Sequence, residues 1–125
     1  MIPRLISFGL MLSVLAGCNS STKWKSGSYI VHRIDTHLIL SYDLGGGSSI
    51  GRVMHEVAAV GEDDEWIVAM RNPEGDRSVT EYYYFRKSAD DRHLKAEDIV
   101  KGPFSKSEFE KIAADLGLPN FSRHF

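Results

Sequence analysis

From Ser28 onward the apolar and polar positions read as short strands, and in the first hairpin both faces are partly apolar, as in a sheet covered on each side. Ser28 to Ile34 and His37 to Tyr42 are rich in β-branched and aromatic residues, with Asp35-Thr36 between them as a two-residue turn. That turn puts Tyr29, Val31, Arg33, Leu38, Leu40 and Tyr42 on one face. Ile30, His32, Ile34, His37 and Ile39 fall on the other. Gly45-Gly46-Gly47-Ser48-Ser49 breaks the pattern, and Arg52 to Val60 resumes it as the next strand. The acidic turn Gly61 to Glu65, a strand over Trp66 to Arg71, a loop over Asn72 to Asp76 and a strand over Ser78 to Lys87 follow. Turn signals about every ten residues predict an antiparallel meander rather than βαβ units.

Near the end of the chain the period changes to that of a helix. Ser105 as N-cap and Glu108 three residues on form a capping box, and Phe104 with Phe109 a hydrophobic staple. Phe109, Ile112, Ala113 and Leu116 make one apolar stripe, Gly117 suits a left-handed cap, and Pro119 prevents the helix from resuming. The expected fold is α+β: an antiparallel β-meander of about five strands with one C-terminal helix packed on a face.

The first seventeen residues follow neither pattern. Arg4 precedes a short apolar run, Leu5 to Val14, too brief for a membrane span and suited to the core of a signal peptide. Leu15-Ala16-Gly17-Cys18 then resembles the lipobox of bacterial lipoproteins. The resemblance implies a thioether-linked diacylglycerol on Cys18, cleavage before it, and acylation of the new amine. Several acyl chains exceed the two signals that stable anchoring takes. Residues 1–17 are thus expected to be a signal peptide, 18–27 the acylated cysteine and a polar tether, and 28–125 a single domain. Asn19, where an Asp would retain the protein at the inner membrane, implies the outer membrane facing the periplasm in a double-membrane bacterium. In a single-membrane bacterium the resemblance implies the outer face of the cell membrane. Gly102-Pro103-Phe104-Ser105, Phe109 and Leu116-Gly117-Leu118 resemble the tail of small uncharacterised bacterial lipoprotein domains, which implies an α+β fold and transfers no catalytic residue.

Composition narrows the function. The 125 residues are 42% hydrophobic and 26% charged, with a formal net charge of -2, which fits an ordinary globular domain and disfavours a nucleic-acid partner. One cysteine excludes an intramolecular disulfide framework and any zinc site built from several cysteines.

The chemistry-bearing residues carry no recognisable motif. His32 and His37 lie diagonally on one face, and His55 is the third ligand that would complete a metal site with them. Their spacing matches no zinc pattern, and local hydrogen bonding is the preferred reading. Glu62, Asp63, Asp64 and Glu65 lack the alternation and glycine of a calcium loop. The glycine-rich stretch Gly45 to Gly51 lacks the Lys-Ser/Thr ending and following helix of a phosphate-binding loop. No nucleophile elbow or Ser-x-x-Lys set is present. No catalytic residue, metal site or cofactor is therefore assigned.

The expectation is a lipid-anchored envelope protein whose non-catalytic domain binds an envelope or secreted protein; one version is an immunity or inhibitor protein. Candidate contacts are the acidic turn Glu62, Asp63, Asp64 and Glu65, and the rings of Tyr82 and Tyr84 if the helix covers Tyr83 and Phe85; the preferred reading is that the second face is covered too, by the N-terminal hairpin or the tail Phe121 to Phe125. The alternative is a small-ligand or metal-binding accessory enzyme of the envelope.

Overall fold

The computed structural model describes residues 21–125. Among these residues nine strands form two antiparallel sheets. The first contains β1 (Thr22–Ser26), β2 (Tyr29–Ile34), β3 (His37–Gly45) and β4 (Ser48–Val53) in chain order. The second contains β5 (Val57–Glu62), β6 (Trp66–Arg71), β7 (Glu81–Arg86), β8 (Lys101–Phe104) and β9 (Arg123–His124), ordered β8-β7-β6-β5-β9. A short helix α1 (Ala96–Ile99) precedes β8, and α2 (Lys106–Leu116) lies between β8 and β9. No helix among the described residues is long and apolar enough to cross a membrane.

The α+β class stands, but the single meander of about five strands does not. The segment from Arg52 to Val60 is where the expectation fails. Its alternation belongs to two strands in different sheets, because Met54-His55-Glu56 carries the chain from one layer to the other. The crossing is tied to both sides. The Leu38 amide donates to Glu56 Oε1 at 3.1 Å, Arg71 Nε donates to the His55 carbonyl at 2.9 Å, and Glu56 exchanges backbone hydrogen bonds with Asn72. The fold also begins earlier than expected. β1 occupies Thr22–Ser26, within the segment expected as tether, and pairs with β2.

The β2–β3 hairpin has the expected register, Ile34 opposite His37, closed by Asp35 and Thr36 at φ of 50° and 73°. Positive φ at both central residues gives the turn a twist that matches its strands. The face bearing Tyr29, Val31, Leu38 and Leu40 packs against Val57, Val60, Ile67, Ala69, Tyr83 and Phe85 of the second sheet. This inter-sheet layer is the main core. On the other side of the second sheet, Val68, Tyr82 and Phe109 form a smaller core with Met70, Phe104 and Phe121 beneath α2. The molecule is thus three layers deep: sheet, sheet, helix.

α2 forms for the expected reasons. The Glu108 amide donates to Ser105 Oγ at 3.2 Å, the Ser105 amide donates to Glu108 Oε1 at 2.8 Å, and Gly117 closes the helix at φ 69°. Its buried stripe is shorter than expected: Phe109 is buried and Ala113 packs, but Leu116 is 42% exposed. The helix carries the chain from β8 at one edge of the second sheet to β9 at the other.

Candidate functional site

Strand direction gives the sandwich two ends. The chain enters at one, where the Ser21 carbonyl accepts a hydrogen bond from the Arg33 amide, 2.9 Å away. The Asp35-Thr36 turn, the Met54–Glu56 crossing and the Asn72–Thr80 loop lie at this end, and the Phe125 amide bonds the Ala58 carbonyl there. β5 runs away from it, and at about 3.4 Å per residue its six residues put the Glu62–Glu65 turn roughly 20 Å distant.

The acidic turn is a rigid feature. Asp63 Oδ1 accepts from the Trp66 amide at 2.7 Å and the Glu65 amide at 2.9 Å, and these donors hold its carboxyl below the usual range. Lys87 Nζ lies 2.8 Å from Glu62 Oε1, and Arg86 pairs with Glu65 while stacking over Trp66. Burial works to raise the Glu62 carboxyl, but Lys87 and the Ser26 hydroxyl outweigh it and hold it low. The four carboxylates are thus partly neutralised, leaving Asp63 and Asp64 as the turn's main negative charge.

The helix covers Tyr82 and Tyr84 rather than Tyr83 and Phe85. Tyr83 and Phe85 face the inter-sheet core, whereas Tyr82 and Tyr84 lie on the helix side. Tyr82 is 8% exposed, its ring stacked on Phe109 at 5.1 Å. Tyr84 is half-buried between Trp66 and Phe104. Neither ring offers an open surface, because the strand is covered on both faces, with Phe121 of the tail against Tyr82.

The histidines do not converge as a set. His32 Nε2 lies 2.9 Å from Ser41 Oγ, a buried hydroxyl, and burial lowers the His32 pKa. The rings of His37 and His55 stack at 3.9 Å with an interplanar angle of 18°. Among the described residues no group of three His, Cys, Asp or Glu side chains is placed to hold a metal ion. Cys18, the expected lipobox and the expected signal peptide over residues 1–17 lie outside the described residues.

Two features were not visible in the sequence. The first is a cavity of about 430 Å³ at the entry end, lined by Arg33, Glu56, Asn72, Arg77 and His124 among others. Its residues come from five separate segments, so no local motif announces it. The second is a buried polar cluster. Arg52 makes a bidentate pair with Asp90, Nε to Oδ2 at 2.9 Å and Nη2 to Oδ1 at 2.7 Å, and Nη2 also donates to the Asp91 and Leu94 carbonyls. The Tyr29 hydroxyl donates to Asp90 Oδ2 at 2.8 Å, and burial together with Asp90 raises the tyrosine pKa. This cluster is structural: it fastens the loop after β7 to the first sheet. Arg52 within an otherwise apolar-alternating strand was its only sequence signal.

No protein-family model, curated protein or solved structure matches the chain.

Proposed function

We propose that this chain is an envelope lipoprotein, acylated on Cys18, whose folded domain is a non-catalytic binder of another envelope or secreted protein. The lipobox supports the anchor. The observation that carries the binding half is the opposition of the two ends: the chain enters at one, and the rigid acidic turn stands at the other. A domain held by its entry end presents Asp63 and Asp64 outward, away from the lipid surface. The turn is preformed by the Asp63 hydrogen bonds and needs little ordering on contact, which lowers the cost of association. Its charge suits a basic surface, and an inhibitor or immunity protein covering a basic active site is the version we favour. In a double-membrane bacterium Asn19 directs the anchor to the outer membrane, on the periplasmic side.

The accessory-enzyme reading has one supporting observation, the 430 Å³ cavity with two arginines in its lining. That cavity lies at the entry end, where an anchored domain has least access to a diffusing substrate.

A photo-crosslinking residue placed at Asp64 of the full chain, in cells, tests the proposal. A discrete protein adduct at position 64, lost when the crosslinker is moved to exposed Glu97, supports it. Equal or no adducts at both positions refute it.

A further inference from the structure

Exposed large apolar side chains are not scattered over this domain. Among the described residues five stand out, and four of them surround the entry end: Ile34 at 44% exposed, Met54 at 50%, Val79 at 43% and Phe125 at 39%. They come from the end of β2, the inter-sheet crossing, the loop before β7 and the residue after β9. Among the described residues only Leu116 lies elsewhere. Single exposed apolar residues need no explanation, but a ring of them on one end of a small domain marks a contact surface.

We propose that the entry end is a membrane seat, its apolar ring resting in the headgroup layer of the phospholipid bilayer. This rests on acylation of Cys18. Three residue steps separate Cys18 from Ser21, a reach of at most about 11 Å even fully extended. Ser21 is already fixed to Arg33. The domain therefore has no long leash, and its entry end is held within reach of the surface that receives the acyl chains.

The charges at this end define how deep the seat goes. Arg33 and Arg77 line the cavity together with Phe125, and the Arg123 guanidinium lies 5.0 Å from the centre of the Phe125 ring. Long arginine stems beside apolar groups suit an interface where the stem is buried and the head meets phosphate. Asp35, Glu56, Glu74 and Asp76 share the same end, Glu56 Oε2 lying 3.8 Å from Arg33 Nη1, and the Ser78 hydroxyl and amide hold the Asp76 carboxyl low and ionised. Basic and acidic side chains nearly balance. Apolar contact, rather than net charge, holds the seat, and ionised carboxylates keep it in the hydrated headgroup region above the hydrocarbon.

The test uses the full chain, reconstituted into vesicles of phosphatidylethanolamine and phosphatidylglycerol carrying headgroup spin-labelled phosphatidylcholine. Ile34→Cys, Phe125→Cys and Asp64→Cys each receive an environment-sensitive fluorophore, and incorporation of a clickable fatty acid at Cys18 is measured on the same material. The expected result is acylated protein with several-fold stronger quenching at positions 34 and 125 than at 64, little changed by salt. Two reporting positions guard against local disturbance by either substitution. Acylated protein with equal quenching at all three positions overturns the seat and leaves the anchor standing. Protein without fatty acid overturns the anchor and the seat with it. In cells, a photo-crosslinker at Ile34 that captures protein in place of phospholipid also overturns the seat.

Discussion

Arg52 and Asp90 face each other as a two-point ion pair, 2.7 and 2.9 Å, with neither side chain exposed to solvent. Removing one partner leaves the other charge buried, so Asp90→Ala should cost about 3–5 kcal/mol. Tyr29→Phe deletes only the hydroxyl that donates to Asp90 and should cost less, about 1.5–3 kcal/mol. Replacing both charges, Arg52→Met with Asp90→Leu, should recover much of the Asp90→Ala loss. Urea denaturation of the four proteins gives the ordering directly. A double variant no better than Asp90→Ala would mean that the backbone carbonyls of Asp91 and Leu94 depend on the guanidinium for more than its charge.

The helix layer makes a second ordering. Ser105→Ala removes a cap hydrogen bond and should cost about 1 kcal/mol. Phe109→Ala empties the centre of the smaller core between Tyr82 and Phe121 and should cost about 3–5 kcal/mol. Denaturation midpoints in the reverse order would show that the helix is not held by Phe109.

Gly61 is needed for closeness rather than for backbone freedom. A Cβ there would stand 2.1 Å from the Asn120 carbonyl oxygen, which cannot move without its chain. Gly61→Ala should cost about 1–3 kcal/mol by overpacking. Its effect should be local first. The Ser122 and Phe125 amides, bonded to Val60 and Ala58, should lose hydrogen-exchange protection before the inter-sheet core does. Unchanged protection at these two amides would contradict the contact.

His32 gives stability a pH dependence of defined sign. Burial lowers its pKa from the ordinary 6.5, so the unfolded chain takes up a proton before the folded one. Its contribution is intact above the unfolded value and is lost as pH falls toward and through the folded one. His32→Gln should flatten the stability difference between about pH 7.5 and about pH 5.5. A variant with the same slope as the parent would assign that slope to other groups.

Cys18→Ser should abolish fatty-acid incorporation, since only a thiol forms the thioether. Label retained by the variant would refute the lipobox reading.

What the sequence disclosed was whatever is local. The hairpin register, the Ser105–Glu108 cap and the Gly117 stop each depend on residues a few positions apart, and each stands in the structure. The layer crossing at Met54–Glu56 was hidden because alternation continues through it: Val53 and Val57 both face the same core, from different sheets. The tyrosines could be sorted into two faces by parity, but parity does not say which face meets the helix. Edge pairings such as β9 with β5 were equally silent, since two residues carry no period. The apolar ring at the entry end is assembled from four segments, and only the folded chain brings it together.

The place of β9 has a consequence for how the protein is made. β5 lies early in the domain, yet one of its two neighbours in the sheet is supplied by Arg123 and His124. The second sheet cannot be completed while most of the chain is still being delivered, and pairings over such separations form slowly. Until Arg123 and His124 dock, β5 keeps one edge unpaired, with backbone donors and acceptors open to water.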